Sequence, residues 1–192
     1  QRIEVLLKST GAKLVREPQS TIQKWCGTVA GNILLLSGSD QTGLMYTLLE
    51  MAEQIRAEGI DALVNAEDRT EIPENEVRCM DRYLLGHLDN EWLLAEEFWH
   101  YYLERLAQAR FNRFCLILGF DTAYMSPPYP FFTEVKEYPQ IRMKVFSSEQ
   151  REQNLNMLRK IVSLCHEYGI QFVLATWQQR PWTTEQDELV SG

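Results

Sequence analysis

Little in this sequence invites a metal, a phosphate group or a nucleic acid. The four cysteines, Cys26, Cys79, Cys115 and Cys165, stand far apart, without the close pairs that zinc sites need. Only three histidines accompany them, and His87 alone falls near the expected end of a strand. Lys and Arg number 19 against 27 Asp and Glu and are scattered, so no basic patch forms. The formal net charge of -8 opposes phosphate backbones and anionic lipid. No apolar run approaches the roughly 18 residues a spanning helix requires, and no secretory signal is recognisable. The chain starts at Gln1 rather than Met, which leaves room for a removed leader or a larger parent. Neither metal nor cofactor is expected, and neither nucleic acid nor membrane is an expected partner.

What remains is ordinary globular material. With 192 residues, 45% of them hydrophobic and 24% charged, the chain can bury a core in one or two domains. Three of the cysteines lie inside predicted strands or helices, where a free thiol packs as a small apolar residue.

Two apolar patterns are separated by a polar stretch. In the first, Ile3, Val5 and Leu7 alternate as in a strand with one covered face, and residues 13–16 suit a second short strand. Residues 18–31 stay unassigned, with Gly27 and Gly31 marking turns. Residues 32–38 then read as a buried strand. Asp40 can cap a helix that runs to about Ala57. Its Leu44, Met45, Leu48, Leu49, Ala52 and Ile55 recur at three- and four-residue steps, a stripe expected to pack on a sheet, and Gly59 is the stop. Residues 38–43, Gly-Ser-Asp-Gln-Thr-Gly, look superficially like a phosphate loop but lack its lysine and glycine spacing, so a plain strand-to-helix turn is expected. Residues 65–75, rich in Glu and Asp, read as a linker.

After it come strand, helix, strand, helix, strand: residues 77–83, 91–110, 113–118, 147–168 and 170–176. Ala95, Phe98, Trp99, Tyr102, Leu103 and Leu106 form a stripe on the first helix, capped by Asp89 or Asn90. Ser147 with Gln150 spells a capping box for the second. Helix-to-strand turns are short. Strand-to-helix connections are long and carry His87, Asp89, Asp121, Tyr124, Tyr129, Trp177, Gln178 and Trp182. That lopsidedness is the pattern of a (β/α)8 barrel, with stability at one rim and chemistry at the other. Residues 183–192 stop where a third helix belongs. The expected fold is therefore α/β: a small N-terminal α/β domain over residues 1–72, then residues 73–192 as the first three strands and two helices of a truncated TIM (β/α)8 barrel.

The run Asn32-Ile33-Leu34-Leu35-Leu36-Ser37-Gly38-Ser39-Asp40-Gln41-Thr42-Gly43-Leu44-Met45-Tyr46, followed by a linker and a barrel opening, resembles the front end of certain glycoside hydrolases. It is similar to the small domain before the barrel in β-N-acetylhexosaminidases and α-glucuronidases. His87-Leu88-Asp89-Asn90 resembles the His-Trp-Asp-Asn sequence that α-glucuronidases carry soon after the first strand, apart from the leucine. Where the hexosaminidases keep histidines at the end of the second strand, this chain has Leu118-Gly119-Phe120-Asp121. The resemblance implies a carbohydrate substrate, a polysaccharide or oligosaccharide. It also implies that the catalytic carboxylates come from later strands, beyond residue 192.

Sugar sites combine aromatic faces with hydrogen-bonding groups. Arg82, Asp121, Tyr124, Trp177 and Gln178 are the candidate substrate contacts, with Arg82 forking onto hydroxyls or a uronate. The bland readings are an ion pair of Arg82 with Asp81 or a glutamate, an Asx turn at Asp121, Trp177 as a core plug, and Tyr124, Tyr129, Phe131 and Phe132 as loop core. His100 and His166 read as helix surface. The alternatives are a non-catalytic sugar-binding barrel, and a sugar isomerase or metal-dependent hydrolase. The last class would require His and carboxylate ligands on several strand ends.

Overall fold

The computed structural model of the chain describes residues 17–28, 31–84, 87–118, 131–134, 136–137, 142–143, 146–176 and 189–190. The expected strands at 2–8 and 13–16 lie outside them. The chain divides into two compact units, Gln1–Glu76 and Val77–Gly192, and belongs to the α/β class.

In the first unit, β1 (Thr21–Thr28) pairs antiparallel with β2 (Gly31–Gly38) on one side and with β3 (Arg69–Glu71) on the other. β1 falls in the stretch left unassigned from sequence. Its inward residues Ile22 and Cys26 are buried, but Lys24 sits between them, and its ammonium reaches Asp68 at 3.0 Å. The polar stretch expected as a linker therefore carries a strand and its anchors: Asp68 also accepts from Trp25 N at 2.8 Å, and Ala66 O accepts from Trp25 Nε1 at 2.6 Å. Among the described residues β2 pairs on one side only; Ile33 is exposed, Leu34, Leu35 and Leu36 are half-buried and Ser37 is buried.

Helix α1 (Gln41–Glu58) begins as expected: Asp40 Oδ1 accepts from Gly43 N at 2.7 Å, and its Oδ2 accepts from Gln19 N at 2.8 Å. Gly59, at φ 72°, ends it. Its face is a correction. Gly43, Tyr46, Thr47 and Met51 are buried, whereas Leu44, Leu48 and Ile55 of the apolar stripe are exposed. The reason is close approach. A Cβ on Gly43 would lie 2.3 Å from Ser20 O, and one on Gly38 would lie 2.1 Å from Leu44 N, so the small residues let this edge of the helix seat against the backbone. Thr47 Oγ1 then donates across the gap, 2.9 Å from Ser37 O. The glycines serve this crowding, which supports the plain turn over a phosphate loop. A short α2 (Asp61–Val64) follows.

In the second unit, β4 (Cys79–Leu84), β5 (Arg113–Leu118) and β7 (Gln171–Thr176) are parallel neighbours in that order. The expected single helix at 91–110 is broken into a 3₁₀ turn (His87–Asp89), α3 (Asn90–Leu93) and α4 (Glu96–Gln108). The break falls where Ala95 turns extended and Trp99 Nε1 donates to Leu93 O at 2.8 Å. The α4 stripe packs as read: Trp99, Leu103 and Leu106 are buried. Helix α5 (Ser148–Glu167) starts with the capping box of Ser147 and Gln150. A two-residue strand β6 (Arg142–Met143) pairs antiparallel with β8 (Leu189–Val190).

The helix-to-strand turns tie the N-terminal ends of the strands together. Asn112 Oδ1 accepts from Arg78 N at 2.9 Å, Asn112 O accepts from Gln171 N at 2.9 Å, and Arg110 O accepts from Arg78 Nε at 2.6 Å.

Strand side chains alternate between faces, and the register aligns Met80, Phe114 and Phe172 in one row and Asp81, Cys115 and Val173 in the next. The first row lies under α4, where Phe114 meets Trp99 at 5.7 Å and Tyr102 at 5.8 Å between ring centroids. The second belongs to the other face, where Cys79, Asp81 and Tyr83 are exposed. Cys79 is thus not the packed core thiol expected from its place in a strand.

Candidate functional site

The candidate site is the C-terminal end of β4 and the segment that follows it. Arg82 leaves β4 on the helix-covered face, with Met80 and Leu84, while its neighbour Asp81 takes the opposite face. Among the described residues no ion pair joins the two. The Arg82 guanidinium lies instead over rings, with its carbon 4.1 Å from the centroid of Trp92, 4.9 Å from Phe98 and 5.8 Å from Tyr102. Phe98 and Tyr102 are stacked at 5.4 Å. Arg82 Nε is buried without a hydrogen-bond partner. The environment also acts on Tyr102, whose phenol is pushed above its ordinary range by burial. The positive charge of Arg82 opposes that rise and the negative charge of Asp81 adds to it.

Beyond β4, Trp92 Nε1 donates to Asp89 Oδ1 at 2.9 Å. Asp89 therefore takes up an indole rather than capping the helix, and α3 has no side-chain cap. Asn90 Oδ1 is buried without a partner, and Leu88 projects with 84% exposure. Trp92 was not singled out from the sequence. Its spacing of three from Asp89, one helical turn, was the available signal.

On the other face Asp81 Oδ1 accepts from Cys79 Sγ at 3.6 Å. The Cys79 thiol is pushed up by burial and then by the Asp81 hydrogen bond and charge; Cys115 is pushed up by burial and by Asp81. Both thiols therefore stay protonated near neutrality, which argues against a thiolate nucleophile. The Cys165 thiol, buried in α5, is pushed up to about 12. No group of three potential metal ligands occurs among the described residues, and no described helix is long and apolar enough to cross a membrane.

The long connection after β5 has a packed foot. Phe131, Phe132 and Phe146 are buried, with ring centroids 5.1 and 4.8 Å apart along the cluster. Helix α5 holds this foot from beneath. Arg151 Nη1 donates to Phe146 O at 2.9 Å while Nη2 pairs with Glu134, and Asn154 Nδ2 donates to Phe131 O at 3.0 Å. Phe131 and Phe132 are loop core, as one reading held. Of the expected substrate contacts, only Arg82 is among the described residues; Asp121, Tyr124, Trp177 and Gln178 lie outside them. His100 and His166 sit on the helices, His100 Nδ1 lying 3.2 Å from Tyr168 OH.

No protein-family model matches this sequence, and no curated protein does. Among solved structures the chain is similar to a GH138 enzyme targeting pectin rhamnogalacturonan II, with a TM-score of 0.63 and 16% sequence identity. The match covers 84% of this chain and 19% of that one, so the chain spans about a fifth of the length of that structure. At this identity the likeness is one of fold: the chain has the fold of part of a glycoside hydrolase.

Proposed function

We propose that the chain is part of a glycoside hydrolase acting on a polysaccharide or oligosaccharide. In this reading residues 73–192 open a (β/α)8 barrel, behind a small domain of the kind that precedes the barrel in β-N-acetylhexosaminidases and α-glucuronidases. The observation that carries it is the sheet of β4, β5 and β7, sequential and parallel, with helices on one face and Cys79, Asp81 and Tyr83 of β4 exposed on the other. Parallel sheets are covered on both faces, and a sheet that curls round on itself covers its inner face with its own later strands. The fold likeness to a pectin-directed enzyme supports the same reading.

The sugar would then sit at the C-terminal strand ends. Asp121 accepts from hydroxyls, Tyr124 and Trp177 wall the ring, Gln178 donates, and Arg82 backs the site from the helix side. Hydrolysis requires two carboxyl groups roughly 5–9.5 Å apart, and this reading assigns them to later strands. No cofactor enters the reaction.

The test compares the full-length protein with the chain itself, using aryl glycosides and pectic oligosaccharides. Turnover by the former and none by the latter is expected. In the full-length protein, Trp177→Ala should weaken sugar binding by about 1–3 kcal/mol with little change in melting temperature. Turnover by the isolated chain, abolished in Asp121→Asn, would overturn the assignment of catalysis to later strands. A full-length protein that neither binds nor cleaves sugars would overturn the function.

A further inference from the structure

The geometry points to Arg82 as a positioning residue that fixes Asp89 at the rim through Trp92. An apolar side chain would fill the helix-covered face of β4 at lower desolvation cost. Arg82 instead brings a cation for which no carboxylate among the described residues pairs, with a buried Nε that has no acceptor. What the guanidinium contributes that an aliphatic chain cannot is a flat, charged plane against a ring, and the ring it approaches most closely is Trp92, at 4.1 Å.

Rings also meet Trp92, Phe98 at 6.1 Å and Trp99 at 5.7 Å between centroids, so the guanidinium adds to that hold, and Trp92 has little support from its own helix. It stands on α3, only four residues long and without a side-chain cap, and so short a helix does not sustain itself. The same indole donates to Asp89 Oδ1. The linkage therefore runs from a strand bonded in register to β5, through a stacked pair, to a carboxylate in the turn just beyond the strand end. Its use in sugar recognition rests on the glycoside hydrolase reading; the positioning itself does not.

The experiment follows hydrogen exchange of the indole protons by NMR in the 192-residue chain with no sugar present, so its failure leaves the sugar reading standing. Trp92→Phe and Trp99→Phe assign the two resonances. Trp99 is an internal control, since its Nε1 donates to Leu93 O within the core. In Arg82→Met the Trp92 indole proton should exchange about tenfold faster, the mark of a local rather than a global opening. Its rate should approach that of Asp89→Ala, while Trp99 keeps its protection. Unchanged protection of Trp92 overturns the proposal, and so does joint release of Trp92 and Trp99, which marks Arg82 as mere packing. Where Arg82→Met does not fold, Arg82→Lys is read instead, and full protection of Trp92 in it overturns the need for the flat guanidinium.

Discussion

The two faces of the sheet formed by β4, β5 and β7 differ in what covers them. Under α4 and α5 the covered face is largely apolar and aromatic: Trp99, Phe114 and Leu116 are fully buried and the Arg82 cation lies over rings, while Leu174 on β7 is exposed. The other face carries Cys79, Asp81 and Tyr83 in the open, with Cys115 half-buried beside them. Ile117 is buried on that second face too, so among the described residues its cover is partial and is thinnest over β4. Stability should therefore concentrate on the first and chemical accessibility on the second.

The largest effect should come from removing the covered layer. Trp99→Ala deletes a fully buried ring and its hydrogen bond and should cost about 3–5 kcal/mol, measured by urea unfolding of the second unit. A loss near that of an exposed residue would erase the contrast between the faces. Next, the open face should declare itself to a thiol reagent. Cys79 should be alkylated well before the buried Cys165, whose thiol is pushed up to about 12. Asp81→Asn removes the negative charge that helps hold the Cys79 thiol up, so labelling of Cys79 at mildly alkaline pH should accelerate. Equal labelling of the two cysteines would mean that the open face is closed.

The smallest effect belongs to the outer surface of the helices. Lys160 Nζ lies 3.0 Å from Glu96 Oε1, and the Glu96 carboxyl is held below its ordinary range first by that hydrogen bond and then by the charge. A depressed folded value gives stability that is present above the ordinary carboxylate range and lost as pH falls through the folded value. Both groups are solvent-screened. Lys160→Met should therefore lower the melting temperature slightly near neutrality and not at all in acid; an undiminished difference in acid would show that the pair is not its source.

Where a local rule decides the outcome, the sequence was readable. Asp40, Ser147 and Gln150 cap their helices because the bonds span three residues, and β5 matched its expected bounds because an unbroken apolar run has one burial solution in a parallel sheet. The failures were of direction. A stripe on α1 was visible, but Gly43 and Thr47, not the leucines, set which side meets the sheet. β1 was hidden by Lys24 on its inner side, and β3 by the charges of residues 65–75, since a short strand can be formed from polar residues that partners satisfy. Asp81 and Arg82 are adjacent in a strand, so alternation alone puts them on opposite faces. That disfavours the alternative of an Arg82–Asp81 ion pair, and the pairing of Arg82 with Trp92 depends on a helix break no period announces. Of the expected sugar contacts, Asp121, Tyr124, Trp177 and Gln178 lie outside the described residues.

The strand order has a consequence for the chain in a tube. Among the described residues β4 and β7 pair on one side only, and wherever such an outer row of backbone donors and acceptors stays open it recruits strands from other molecules. Self-association should then rise with protein concentration, opposed by mutual repulsion from a net charge of -8. Because that repulsion is screened within about 8 Å at physiological ionic strength, added salt is the condition under which the chain should first come out of solution.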